Sequence, residues 1–144
     1  MPFDLWPSFW TKIKKLIDSG KIFSCEMVKT EIDKGKDDLT DWLHSYAPSS
    51  FYIPVDAEVM VQYAATQTWA ASNLTFSLKA KQEYAVNADA YLVATAKAKG
   101  LTLVSYETPD PNCRKRVKIP DACAALQVNF CDLNTMMKEL GITI

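Results

Sequence analysis

The sequence predicts a three-layer α/β domain with a short, mostly parallel sheet. Helical periodicity alternates with brief apolar runs along all 144 residues. The clearest such run, LTLVS at 101–105, is short, apolar and bounded by Gly100, as strands buried in parallel sheets between helices are. Apolar residues make up 49% of the chain, which argues against disorder and gives one domain of this length a real core. The whole chain, 1–144, is therefore read as a single domain.

Pro7 and Ser8 precede the run FWTKIKKLIDSG. Phe9, Ile13, Leu16 and Ile17 form one stripe, with Lys12, Lys14 and Lys15 mostly off it, which predicts a helix ending at Gly20. Ile22 and Phe23 read as a short buried strand. Ser24 is placed to cap a helix over 25–34, which Gly35 stops. Asp37 or Asp38 starts a short helix carrying Leu39, Trp42 and Leu43. After a break at 48–50, FYI at 51–53 reads as a small strand, and Pro54 opens a longer helix with Val55, Val59, Tyr63 and Trp69. Further helices cover 78–86 and the alanine-rich run NADAYLVATAKAKG at 87–100. Pro109 and Pro111 mark 108–112 as a turn-rich loop. Pro120 starts a helix through Leu126, 128–131 form a second buried strand, and Asp132 caps a last helix ending near Gly141.

A formal net charge of -1 gives no global case for nucleic-acid binding and leaves that work to a local patch. The N-terminus lacks the basic and apolar regions of a signal peptide. No run reaches the roughly eighteen uncharged apolar residues of a spanning helix. No membrane association and a cytoplasmic address are expected. Cys25, Cys113, Cys123 and Cys131 are too diffusely spaced for a zinc knuckle, with His44 the single histidine, so most read as small core hydrophobes.

Three acidic residues stand in unexpected places. Glu31 shares a helix face with Met27 and Val28, where a glutamate is buried only if paired or metal-bound; the alternative is an edge carboxylate that snorkels outward. Asp89 opens a very apolar helix. Its alternative role is to meet the free N–H groups and positive dipole of a helix start. Glu107 follows a strand by two residues, where open α/β sheets place ligand groups, although ordinary loop solvation would also put it there. Together they suggest a site for magnesium or manganese, which take oxygen ligands. Arg114, Lys115, Arg116 and Lys118, in CRKRVKIP, offer four positive charges to a phosphate backbone or simply to solvent. Tyr106 is a candidate platform for a base of single-stranded RNA.

The stretches PFDLWPSFW (2–10), SGKIFSCEMVKTEIDKGKDDLTDWL (19–43), ADAYLVATAKAKG (88–100), TLVSYE (102–107) and VKIPDAC (117–123) resemble a PIN-like domain family of prokaryotic proteins. That family is related to the toxin ribonucleases of type II toxin–antitoxin pairs. The resemblance covers nearly the whole chain, the middle at 45–79 being poorly diagnostic. It implies a metal-dependent endoribonuclease acting on single-stranded or structured RNA with Mg2+ or Mn2+. Glu31, Asp89 and Glu107 match the acidic catalytic and metal-binding positions. Ser105 matches a hydroxyl position on the strand before Glu107, and Asp121 an acid of the second shell or a helix cap. A homodimer and a cognate antitoxin are also implied.

The resembling family opens with a central strand that carries a metal-binding aspartate, and only Met1 stands before the matching segment here. The expectation is a sheet without its N-terminal central strand, whose neighbours close up or whose gap another chain fills. Activity would then be weak or lost, and the alternative is a catalytically silent module that acts through protein or nucleic-acid binding. Phe3, Leu5, Trp6, Phe9 and Trp10 would be left with apolar surface to cover, which favours dimerisation.

Overall fold

The computed structural model describes residues 7–35 and 38–141. In chain order the elements are α1 (Pro7–Asp18), β1 (Ser24–Cys25), α2 (Glu26–Asp33), α3 (Asp38–Tyr46), β2 (Tyr52–Ile53), α4 (Ala57–Ser72), α5 (Leu78–Val86), α6 (Ala88–Lys99), β3 (Leu103–Val104), α7 (Ile119–Leu126), β4 (Phe130–Cys131) and α8 (Leu133–Glu139). The result is a mixed α/β fold with two small parallel sheets flanked by helices. β1 pairs with β2, Ser24 opposite Tyr52, and β3 pairs with β4, Leu103 opposite Phe130. The two pairs are separate sheets. Among the described residues the neighbouring strands have not closed up. An apolar groove lies between β1 and β3 instead.

Local chemistry explains most boundaries. Ser77 caps α5 by accepting the Ala80 N–H at 3.1 Å, and Asp56 caps α4 by accepting that of Val59 at 3.0 Å. Asn87 caps α6, whose far end stops at Gly100 in the left-handed region, φ 66°. Asp132 caps α8, accepting the Thr135 N–H at 2.8 Å.

The first strand differs from expectation. It is Ser24–Cys25 rather than Ile22 and Phe23, because pairing with Tyr52 and Ile53 selects its residues and apolar content does not. Phe23 is 43% exposed. Ser24 thus belongs to the strand, and Cys25 precedes α2 without a side-chain cap. Phe9, Leu16 and Ile17 are buried as the α1 stripe requires. Phe9 meets Trp10 edge to face and Trp10 packs on Trp42, so these two aromatics face the domain's own core. Phe3, Leu5, Trp6 and Asp37 lie outside the described residues.

α6 is the central element. Ala90, Val93 and Ala94 are fully buried, and its alanines let α4 approach closely along its length. Helices α2, α5 and α7, and both β1 and β3, also pack on it. Tyr84 and Thr66, 1% and 0% exposed, join α5 to α4 through a 2.7 Å hydrogen bond between their hydroxyls. Cys25 and Cys123 are buried; Cys113 and Cys131 are half-buried, and all four are free thiols. No helix among the described residues is long and apolar enough to cross a membrane.

Candidate functional site

The three acidic residues singled out from the sequence meet at the N-terminus of α6. Glu31, from the last turn of α2, accepts the Ala88 N–H through Oε1 at 3.0 Å. It therefore caps a helix that begins 57 residues further along the chain. Asp89 lies in the first turn of that helix. Glu107 arrives from the end of β3. Its Oε2 accepts the Ile119 N–H at 3.0 Å and so caps the start of α7. Two helix N-termini thus supply backbone donors to two of the three carboxylates, a favourable field for negative charge.

Arg116 occupies the space between the other oxygens. Its Nη2 donates to Glu107 Oε1 at 2.6 Å and stands 3.8 Å from Asp89 Oδ2. The Asp89 carboxylate accepts no hydrogen bond among the described residues, so this distant guanidinium is its nearest compensation. Burial, followed by the Glu107 charge, pushes the Asp89 carboxyl above the usual carboxylate range; Arg116 pulls it down and Glu31 adds a smaller push. Beside this pair lies a polar cavity of about 210 Å3, lined by Glu83, Tyr84, Asn87, Asp89, Arg116 and Val117.

Ser105 and Asp121 act on the loop rather than on the carboxylates. Ser105 Oγ accepts the Glu107 N–H at 3.0 Å and so orients the start of that loop. Asp121, from the first turn of α7, accepts the Asp110 N–H at 3.0 Å and ties the turn-rich segment down. In the basic run, Arg116 is committed to the carboxylates, whereas Arg114 and Lys115 are exposed and form no ion pair among the described residues. Lys118, half-buried, precedes α7. Tyr106 is 77% exposed beside this loop.

Sequence reasoning missed two things. The helix-capping roles of Glu31 and Glu107 depend on contacts distant in sequence. The placement of Arg116 inside the acidic cluster carried one local signal, an arginine nine residues after Glu107 across a proline-rich turn.

Fold and site together define a class: an α/β domain of helix-flanked parallel strand pairs, with a carboxylate cluster gathered at one helix N-terminus. The chain belongs to the family described as Domain of unknown function (DUF4411), whose profile matches residues 1–144. No curated protein matches the chain. No solved structure matches it.

Proposed function

We propose that this protein is a metal-dependent, toxin-type endoribonuclease with weak turnover. The observation that carries the reading is the convergence of Glu31, Asp89 and Glu107 on the N-terminus of α6, with a guanidinium between two of them. A partly buried carboxylate with no hydrogen bond is a place where a cation lowers the free energy. The all-oxygen donor set suits Mg2+ or Mn2+. Among the described residues no three acidic, histidine or cysteine side chains enclose an ion position. The fit is of the open kind, in which magnesium keeps several waters and takes one or two carboxylates.

Asp89 and Glu107 would hold the ion, and Glu31 adds negative charge while fixing the start of α6. The ion would activate a water and offset charge on the phosphoryl group. Arg116 competes for the same oxygens, which is why turnover is weak. Released from Glu107, its fork is free to take a phosphate oxygen pair. Arg114, Lys115 and Lys118 extend this positive surface along an RNA backbone, and Tyr106 offers a face for a base. A homodimer and a cognate antitoxin belong to the same proposal, on the sequence resemblance; equilibrium sedimentation tests the first.

A panel of single-stranded and hairpin RNAs with manganese tests the site. Slow cleavage by the native chain, abolished in the Glu31→Gln, Asp89→Asn double variant, is the expected outcome. Undiminished cleavage by that variant would remove the site from consideration. The helix-capping bonds of Glu31 and Glu107 favour a second reading, a catalytically silent module that binds RNA or protein. Metal-independent RNA binding without cleavage, lost on removing Arg114 and Lys115, would select it.

A further inference from the structure

Arg116 closes the acidic cluster through a single hydrogen bond. Its Nη2 donates to Glu107 Oε1 at 2.6 Å, whereas Asp89 Oδ2, at 3.8 Å, is beyond hydrogen-bond reach. A guanidinium carries several further N–H donors. Among the described residues these bond no protein acceptor. The Arg116 side chain is 53% exposed, so water competes for it and the hold on Glu107 is a light one.

The groups around this bond are fixed. Glu107 cannot follow a departing guanidinium, because its Oε2 accepts the Ile119 N–H at 3.0 Å and ties it to the start of α7. Asp89 is carried by the first turn of α6. Around the arginine itself, Arg114 O accepts the Ser77 N–H at 2.9 Å, Lys118 O accepts the Ala122 N–H at 3.1 Å, and Val117 is buried. The backbone on either side of Arg116 is thus pinned. The freedom that remains is in the side chain, and exposed side chains change rotamer quickly.

The polar cavity gives that side chain a second place to lie. Arg116 lines it together with Glu83, Tyr84, Asn87 and Asp89, and Ala80 and Val117 form its apolar part. Its volume of about 210 Å3 equals that of roughly seven liquid waters at about 30 Å3 each, which is room for a planar guanidinium. The Tyr84 hydroxyl is bonded to Thr66, and the Asn87 side-chain oxygen accepts the Asp89 N–H. Glu83 is therefore the acceptor left, besides Asp89, for a cation in this cavity. Its ion pair with Lys79 is 4.0 Å long between two exposed side chains and holds it loosely.

From these features we infer that Arg116 is a two-position gate over the carboxylates. Closed, as in this structure, the guanidinium lies on Glu107 beside Asp89. Open, it rotates into the polar cavity and pairs with Glu83, which leaves Glu107 Oε1 and both Asp89 oxygens to a divalent cation. One charge-assisted bond is exchanged for another, so the two positions are close in free energy and an arriving cation decides between them. The open position keeps the guanidinium beside the site, where a phosphate can take it from Glu83. The cation's part rests on the reading of Asp89 and Glu107 proposed for this site; the two positions of Arg116 do not.

NMR and calorimetry on the full chain test it. In the metal-free native protein, nuclear Overhauser contacts of the Arg116 side chain are expected with Glu107. Glu107→Gln removes the charge yet keeps an oxygen for the Ile119 N–H, and contacts between the Arg116 and Glu83 side chains are expected to appear in it. Magnesium added to the native chain should produce the same change. In manganese titrations, Glu83→Gln should weaken binding about two- to fivefold, the factor an exposed ion pair supplies. In the Arg116→Met background, with no gate to open, the same substitution should leave the affinity nearly unchanged. Glu83 and Arg116 cap no helix among the described residues, so this cycle stands if Glu107→Gln does not fold. Equal weakening in both backgrounds would show Glu83 acting through its field alone and overturn the gate. So would an Arg116 side chain that turns to solvent in Glu107→Gln without touching Glu83. No manganese binding by Arg116→Met would sink the metal reading instead, and the contacts in the metal-free proteins then decide the gate by themselves.

Discussion

The Thr66–Tyr84 hydroxyl pair sets a measurable test of how the site's wall is held. Tyr84 lines the polar cavity beside Asp89 and is 1% exposed; Thr66 is fully buried. Burial pushes the Tyr84 phenol well above its ordinary range, with the Thr66 hydrogen bond acting in the other direction. Thr66→Val leaves the phenol without its partner, at a cost of about 1–3 kcal/mol. Tyr84→Phe leaves a threonine hydroxyl that can turn to the Gln62 carbonyl one turn earlier in α4, so its cost falls near the lower end, about 1 kcal/mol. The double variant removes both polar groups and is expected to cost less than the sum, with a coupling of about 1–2 kcal/mol. Urea unfolding of the four proteins measures the cycle. Thermal midpoints should follow at roughly 3 °C per kcal/mol for a domain of this size. Additive costs, or a Thr66→Val variant within about 0.5 kcal/mol of the native chain, would refute the reasoning.

Three further outcomes follow from the site. The folded Asp89 carboxyl titrates above its unfolded value, so the native state is favoured below that value and loses this advantage as pH rises through the folded one. Asp89→Asn should therefore raise the melting temperature at neutral pH, with the gain shrinking as pH falls through the carboxylate range; a loss at neutral pH would contradict it. Arg116→Met frees the Asp89 and Glu107 oxygens and should strengthen manganese binding by isothermal calorimetry several-fold, about 1 kcal/mol; unchanged or weaker binding would count against a metal at this position. Burial pushes the Cys123 thiol up to about 11 and raises Cys25 as well. Both should resist a thiol reagent at mild alkaline pH until denaturant is added, while Cys113 reacts in the native protein.

The fold was legible wherever local chemistry sets an element. Ser77, Asn87, Gly100 and Asp132 mark helix ends by hydrogen bonds or backbone conformation confined to a few residues, and the helix expected at 78–86 is α5. The strands were less legible. β1 and β2 are two residues each, and their limits depend on pairing across the intervening α2 and α3. The candidate carboxylates were legible as residue types in unusual places. What Glu31 does was not, because its partner is the backbone of Ala88, a group every residue carries. The basic run read as one patch, yet Arg116 faces the acids while Arg114 offers its carbonyl to Ser77.

Helix α6 carries Asp89 at its start and Thr95 in the wall of the groove, about 9 Å apart along the axis at 1.5 Å per residue. A rigid rod that touches two sites makes their occupancies thermodynamically linked whenever either one moves it. Whatever factor a ligand in the groove imposes on cation affinity at Asp89, a cation must return to that ligand. Titrating one in the presence of the other would measure the stiffness of a single helix as a free energy shared between two ligands.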